Sequence, residues 1–212
     1  PVLLLDGRFD LVARSVRRLG AAIGAAETGE RLAADAEARL AAVDRVVGTI
    51  PEAERVRVYY ARGPDGLSTG LGGSINVETL GQAGGRNVAE AAGQGGLAQV
   101  SLEQVLAWDP QVIVTTDARF FDRIRTDPLW AGVRARREGR VHLSPLLPFG
   151  WIDFPPSTNR LIGVEWLARL LYPQLFAEDF APSIKSFYAL HYHRAPDAQQ
   201  LAAMLKSLER MA

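Results

Sequence analysis

Apolar positions along the chain follow two periods, and the switch between them marks the elements. Leu3-Leu4-Leu5 is a short continuous apolar run, which predicts a strand buried on both faces. From Leu11 to Ile23 the apolar residues Val12, Val16, Leu19 and Ile23 are spaced by four, three and four, so they share one helix face. The next helix is predicted over about Thr28 to Val47, with the stripe Leu32, Ala36, Leu40, Val43 and Val47. Glu27 with Arg31 and Asp35 with Arg39 are acid-before-base pairs one turn apart that support it. Gly48 and Pro51 end it.

Beyond this rod the period shortens. Arg55 to Tyr60 alternates and predicts a strand, followed by a glycine-rich segment from Gly63 to Gly73. Ser74 is placed to cap a short helix over about Ile75 to Gln82. Ser101-Leu102-Glu103-Gln104 is a capping box that opens a helix ending near Trp108. Asp109-Pro110 breaks that helix, and Val112-Ile113-Val114 reads as a strand. Thr126 or Asp127 caps a short helix with Pro128 in its first turn, and Arg140 to Leu143 is a further strand. Ser157 is placed to cap a helix over Thr158 to Leu171, and an amphipathic stretch closes the chain from about Asp197 to Met211. Strands alternating with helices predict an α/β fold, a mainly parallel sheet covered by helices on both faces. Ligands in such sheets sit beyond the carboxyl ends of the strands. Three loops fall there: Ala61 to Gly73, Asp117 to Phe121 and Ser144 to Pro156.

Composition narrows the function classes. Lys plus Arg and Asp plus Glu are 24 each, so the formal net charge is zero, which removes the strongest argument for a nucleic acid or an anionic membrane as partner. The absence of Cys excludes disulfides, thiolate metal sites and a cysteine nucleophile. No apolar run is long enough to span a bilayer as a helix.

Candidate chemistry gathers in the loops. Arg62 is a planar cation able to hold a carboxylate or oxyanion through two hydrogen bonds. Tyr60 precedes it, Ser68 and Thr69 add hydroxyls, and Gly63 to Gly70 expose backbone donors. The competing reading is a flexible surface loop with a solvated arginine. Phe149 and Trp151 stand among prolines, either as one wall of a ligand pocket or as plugs for the sheet end. Arg119 is placed to reach the same crevice or to lie on the surface. His142 falls in a strand and reads as a core residue, and His191 and His193 lack metal-site spacing. The glycines match neither a dinucleotide fingerprint nor a phosphate-cradling loop, and no catalytic triad or zinc motif is present.

Taken in order, these features resemble the type III substrate-binding proteins of bacterial ABC importers. The matching pieces are Pro1 to Asp6, Thr28 to Val47, Ser101 to Val114, Asp127-Pro128-Leu129-Trp130, Gly139-Arg140-Val141, Trp151 and Pro155 to Gly163. The resemblance covers the whole chain. It implies a three-layer lobe with a mainly parallel sheet, preceded by a long interlobe helix. Residues 1–27 would be the end of an N-terminal lobe whose remainder is missing, 28–48 the interlobe helix and 49–212 the C-terminal lobe. The function implied is capture of a metal complex of the ferric siderophore type, or of a molybdate or tungstate oxyanion, for delivery to a membrane permease. No catalysis, cofactor or nucleic acid is implied, and the address is periplasmic or extracytoplasmic. Arg62 would pair with ligand charge, with Tyr60, Phe149 and Trp151 as wall and the glycine-rich loop as donors. Asp153 is the candidate for permease docking. The apolar opening would favour a dimer of the chain. Two readings of other classes stay open, a nucleotide-dependent α/β enzyme and an interaction domain without a small ligand.

Overall fold

Four short parallel strands set the frame in a computed structural model that describes residues 2–209. They are β1 (Arg57–Ala61), β3 (Arg86–Asn87), β5 (Val112–Thr115) and β6 (Val141–Leu143), in the spatial order β3-β1-β5-β6. Every pairing is parallel, and β1 meets β5 over four residues from Val58 to Ala61. Val58 to Ala61 are all fully buried, because both faces of the sheet are covered. Tyr60 and Tyr59 therefore point into different cores. Tyr60 joins Val58, Val112 and Val114 on one face, while Tyr59 joins Ala61, Ile113 and Val141 on the other. A separate antiparallel pair, β2 (Ser68–Gly70) with β4 (Leu97–Gln99), folds from the glycine-rich segment.

Helices fill the outer layers. The Tyr60 face carries α2 (Ala26–Val47), α3 (Glu78–Gln82), α7 (Arg160–Leu171), α8 (Ala181–Tyr192) and α9 (Ala198–Lys206). The Tyr59 face carries α4 (Leu102–Trp108), α5 (Ala118–Ile124) and α6 (Arg134–Arg137). This is the α/β, three-layer arrangement with a mainly parallel sheet that the alternation predicts. The capping box forms as read, Gln104 N–H donating to Ser101 Oγ at 3.2 Å and Ser101 N–H to Gln104 Oε1 at 2.8 Å. Asp127 caps a tight 3-10 turn over Pro128–Trp130. α7 is the central helix, with eleven of its twelve residues buried, so its charged members Arg160 and Glu165 are paired rather than solvated.

α2 rises for 22 residues, about 33 Å, and packs on α7 through Ala36, Val43 and Val47. Helix α1 (Val12–Ala22) folds back on it. The contact is backbone to backbone. A Cβ on Gly20 would lie 2.9 Å from the Gly29 Cα, so neither glycine is there to end a helix. Arg39, steadied within α2 by Asp35 at 2.8 Å, ties the helix down through Glu165 at 2.6 Å, Ser183 at 2.9 Å and Ser186 at 3.0 Å. His191 of α8 closes the group 3.1 Å from Asp35 Oδ2.

Several expectations are corrected. Residues 2–7 form no strand, and Val2 and Leu4 are almost fully exposed. Among the described residues no strand lies beside them, and a strand without a ladder partner is not stable. Pro1 and Met211 lie outside the described residues. Leu19 and Ile23 on the predicted face of α1 are exposed, because α1 meets α2 at Gly20 instead. Ser157 accepts from Asn159 N–H in the turn before α7, and the helix begins at Arg160 without a side-chain cap. The segment Asp117 to Phe121 is the capped start of α5 rather than a loop. Helix α8 was not foreseen, although Ile184, Phe187, Tyr188 and His191 lie at helical spacing.

Candidate functional site

At the carboxyl end of β1 the chain turns through Arg62 and Gly63 to Gly66 into β2. The turn is built, not loose. Arg62 N–H donates to Ser68 C=O at 2.8 Å, and Tyr59 OH donates to Gly66 C=O at 2.9 Å. Gly66 has φ +72°, and a Cβ there would sit 2.2 Å from the Phe120 ring, so only glycine fits. The backbone of Arg62 is thereby fixed beside the end of β5.

The loop after β6 brings the partner. Ser144 N–H donates to Thr115 C=O at 2.8 Å, and Trp151 N–H to Pro145 C=O at 3.1 Å. Asn159 Nδ2 donates to Phe149 C=O at 2.8 Å. A Cβ on Gly163 of α7 would lie 1.6 Å from the Trp151 carbonyl, so the loop lies directly against the helix backbone. Asp153 is thus pressed inward, where its Oδ2 is 3.0 Å from Arg62 Nε. Asn76 Nδ2 donates to Asp153 Oδ1 at 2.9 Å, and Tyr60 OH donates to Oδ2 at 3.3 Å. Thr116, at the end of β5, lies 3.3 Å from the same phenol. Burial, and then the Asp153 charge, raise the Tyr60 phenol above the ordinary tyrosine range, so it stays protonated and a donor. The Asp153 side chain is 1% exposed and that of Arg62 18%, so solvent reaches the arginine and not the carboxylate.

The sequence-derived residues divide. Tyr60 and Arg62 are brought together with Asp153. Asp153 is not a docking residue on a rim, because its loop folds beneath Arg62 and buries the carboxylate. Trp151 is no pocket wall either. It is fully buried, donating from Nε1 to Tyr188 OH at 3.1 Å and meeting Phe180 edge-on at 6.2 Å, because Gly163 lets its backbone sink onto α7. Phe149 stays 46% exposed on the same loop. Thr69 is fully buried within β2, directed inward by the strand alternation, while Ser68 is half-buried. Gly63 has φ +74° and opens the turn, its carbonyl accepting from Gly66 N–H. Arg119 is 78% exposed and pairs with Asp117 at 3.2 Å in the first turn of α5, a surface ion pair. His142 is buried in β6 and His191 belongs to the α2 clasp. Among the described residues no group of three or more His, Asp or Glu is arranged to hold a metal ion.

Asn76 and Thr116 were not singled out from the sequence. Asn76 carries one weak signal, its place two residues after Ser74, whose hydroxyl donates to Asn76 Oδ1 at 3.0 Å. A groove of about 860 Å³ runs between β6 with the following Ser144 to Leu147 and α9. Its wall is mainly apolar and includes none of the Arg62 cluster.

A parallel sheet preceded by a helix clasped along its flank is a fold shared with known proteins. The sequence profile of the periplasmic binding protein family matches residues 1–145. The chain belongs to this family. A molybdate-binding protein, MolA of Haemophilus influenzae, is 36% identical over 150 residues, 69% of this chain and 41% of its own length. The solved structure of MolA bound to molybdate superposes with a TM-score of 0.75 at 31% identity, over 89% of this chain and 58% of that one. An ABC transporter solute binding protein from Sulfurospirillum deleyianum gives a TM-score of 0.85 at 34% identity, over 92% and 61%. This periplasmic binding protein chain therefore spans about half the length of the curated relatives it matches. The names of these relatives describe binding proteins, not enzymes. No helix among the described residues is long and apolar enough to cross a membrane.

Proposed function

We propose that the chain serves in a substrate-binding component of an ABC importer, outside the cytoplasm, and that its cargo is a small oxyanion of the molybdate or tungstate class. The observation that carries this reading is the Arg62 side chain, fixed at the sheet end and partly open to solvent beside a buried carboxylate. A guanidinium fork matches an oxyanion through parallel N–H···O contacts. Its terminal nitrogens have no second carboxylate partner among the described residues. The relatives above 30% identity include a molybdate binder, which supports the same class.

The siderophore reading loses support from the site. A large metal complex leans on exposed aromatic walls, and of the three aromatics expected in that role Tyr60 and Trp151 are fully buried while Phe149 alone stays exposed. Residues 28–48 act as the bridge between lobes in this reading, with the Arg39 clasp holding the rod to the C-terminal lobe.

Titration calorimetry of the full-length protein with sodium molybdate is the direct test. Measurable binding that weakens at least tenfold in Arg62→Ala, the loss of about 1.5–3 kcal/mol typical of a hydrogen bond to a charged group, supports the proposal. Equal affinity in the variant removes Arg62 from the site. No heat with molybdate or tungstate, but binding of a ferric complex, returns the function to the metal-complex class.

A further inference from the structure

We infer that Asp153 is the positioning residue that sets Arg62 for anion capture. The inference rests on the reading of Arg62 as the anion ligand. It assigns a role to a carboxylate that sits, against simple electrostatics, next to an anion site.

The carboxylate is held on both oxygens. Oδ1 accepts from Asn76, itself bound to Ser74, and Oδ2 faces Tyr60 OH and Arg62 Nε. Its backbone is pinned nearby by Asn159 through Phe149 C=O and by Trp151 through Pro145 C=O. A carboxylate so held cannot swing out to follow its partner, so the partner must conform to it. It meets the guanidinium on the Nε side, which leaves the two terminal nitrogens, the pair that grips an oxyanion, unpaired with any second carboxylate among the described residues. The Tyr60 ring, 6.0 Å from the guanidinium carbon, backs the same group.

Two consequences follow physically. A long side chain that would lose rotamer freedom on binding is already ordered, so less of that cost falls on the ligand. The Arg62–Asp153 pair is also formally neutral, so capture depends on directed hydrogen bonds more than on net charge. That favours a compact anion with several acceptor oxygens over a halide.

The test compares wild type, Asp153→Asn, Arg62→Gln and the double variant in the full-length protein. Calorimetry with sodium molybdate is paired with the proton–nitrogen NMR signal of Arg62 Nε–H. The expected result is a roughly tenfold weaker affinity in Asp153→Asn, no further loss from that change in the Arg62→Gln background, and an Arg62 Nε–H signal that is sharp in wild type and averaged in Asp153→Asn. Asn76→Ala, which loosens Asp153 without removing its charge, gives a smaller loss in the same direction. Unchanged or tighter binding in Asp153→Asn overturns the inference, as does an equal loss in both backgrounds. If wild type binds no molybdate, the proposed function fails on its own. The NMR signal then still decides the positioning role, and an Arg62 signal indifferent to Asp153 overturns it. If Asp153→Asn does not fold, Asn76→Ala decides by the same two readouts.

Discussion

Trp151, a pocket wall or a plug for the sheet end by sequence, and Asp153, a rim residue by sequence, stand two residues apart on one loop, and both are buried. The reason is the helix beneath them. Gly163 removes the side chain that would hold the loop away, so the Trp151 carbonyl rests on α7 and the indole drops into the core. Removing a fully buried tryptophan leaves a large cavity and takes away the indole donor to the Tyr188 hydroxyl, which keeps its own bond to Leu147 C=O. Trp151→Ala is expected to cost about 3–5 kcal/mol of stability in urea unfolding. A variant of unchanged stability would place the indole outside the core. Burial pushes the Tyr188 phenol up to about 12, so it remains a neutral hydrogen-bonding partner throughout the physiological range.

At the scale of elements, the helix pair α1–α2 depends on two glycines facing each other. Gly20→Leu is expected to pry α1 from α2, seen as rapid hydrogen exchange across Val12–Ala22 with α7 still protected. Uniform protection in the variant would show that the contact is not tight. The α2–α8 contact carries a pH signature. Burial alone would raise the Asp35 carboxyl, but hydrogen bonds from His191 and Arg39 outweigh it and hold the group below the ordinary aspartate range. A depressed carboxylate contributes stability that is present above its unfolded value, about pH 4, and is lost as pH falls through the lower folded value. Asp35→Asn should therefore lower stability at neutral pH and flatten its acid limb in thermal melts. A limb of unchanged steepness would assign the acid sensitivity elsewhere. The acid-before-base spacing of Asp35 and Arg39 was legible as a helix pair. That Glu165 meets the same arginine from 126 positions away was not, because no local period links them.

Across the whole molecule, the Arg39–Glu165 contact fastens the rod to the helix at the centre of the core. Both side chains are 9% exposed and bonded at 2.6 Å. Arg39→Met takes from Asp35 and Glu165 the cation they share and is expected to cost about 3–5 kcal/mol in urea unfolding, whereas Glu165→Ala, which leaves Arg39 paired with Asp35, costs less. Equal losses in both would mean that the clasp matters only through packing. Arg160 makes a second tie at the start of α7. It donates to Gly7 C=O, Ile75 C=O and Glu78, while Glu78 accepts from Phe9 N–H. The segment that carries Asn76 is thus held by Phe9 near the start of the chain and by Arg160 at the start of α7.

What the sequence determined by itself was whatever short-range rules control: the capped start of α4, the long rod of α2, the buried strands β1 and β5, and the α/β alternation that places ligand chemistry at strand ends. Arg62 was identified there because a lone planar cation after a strand is a local fact. The tertiary structure decided the rest. It determined which aromatic residues are exposed and which are core, that the opening leucines pair with no strand among the described residues, and that Asp153 faces Arg62 rather than solvent. Each of those outcomes depends on contacts between residues far apart in the chain, through a glycine that admits a carbonyl or a loop that closes over a sheet edge. Periodicity and capping carry no information about such meetings.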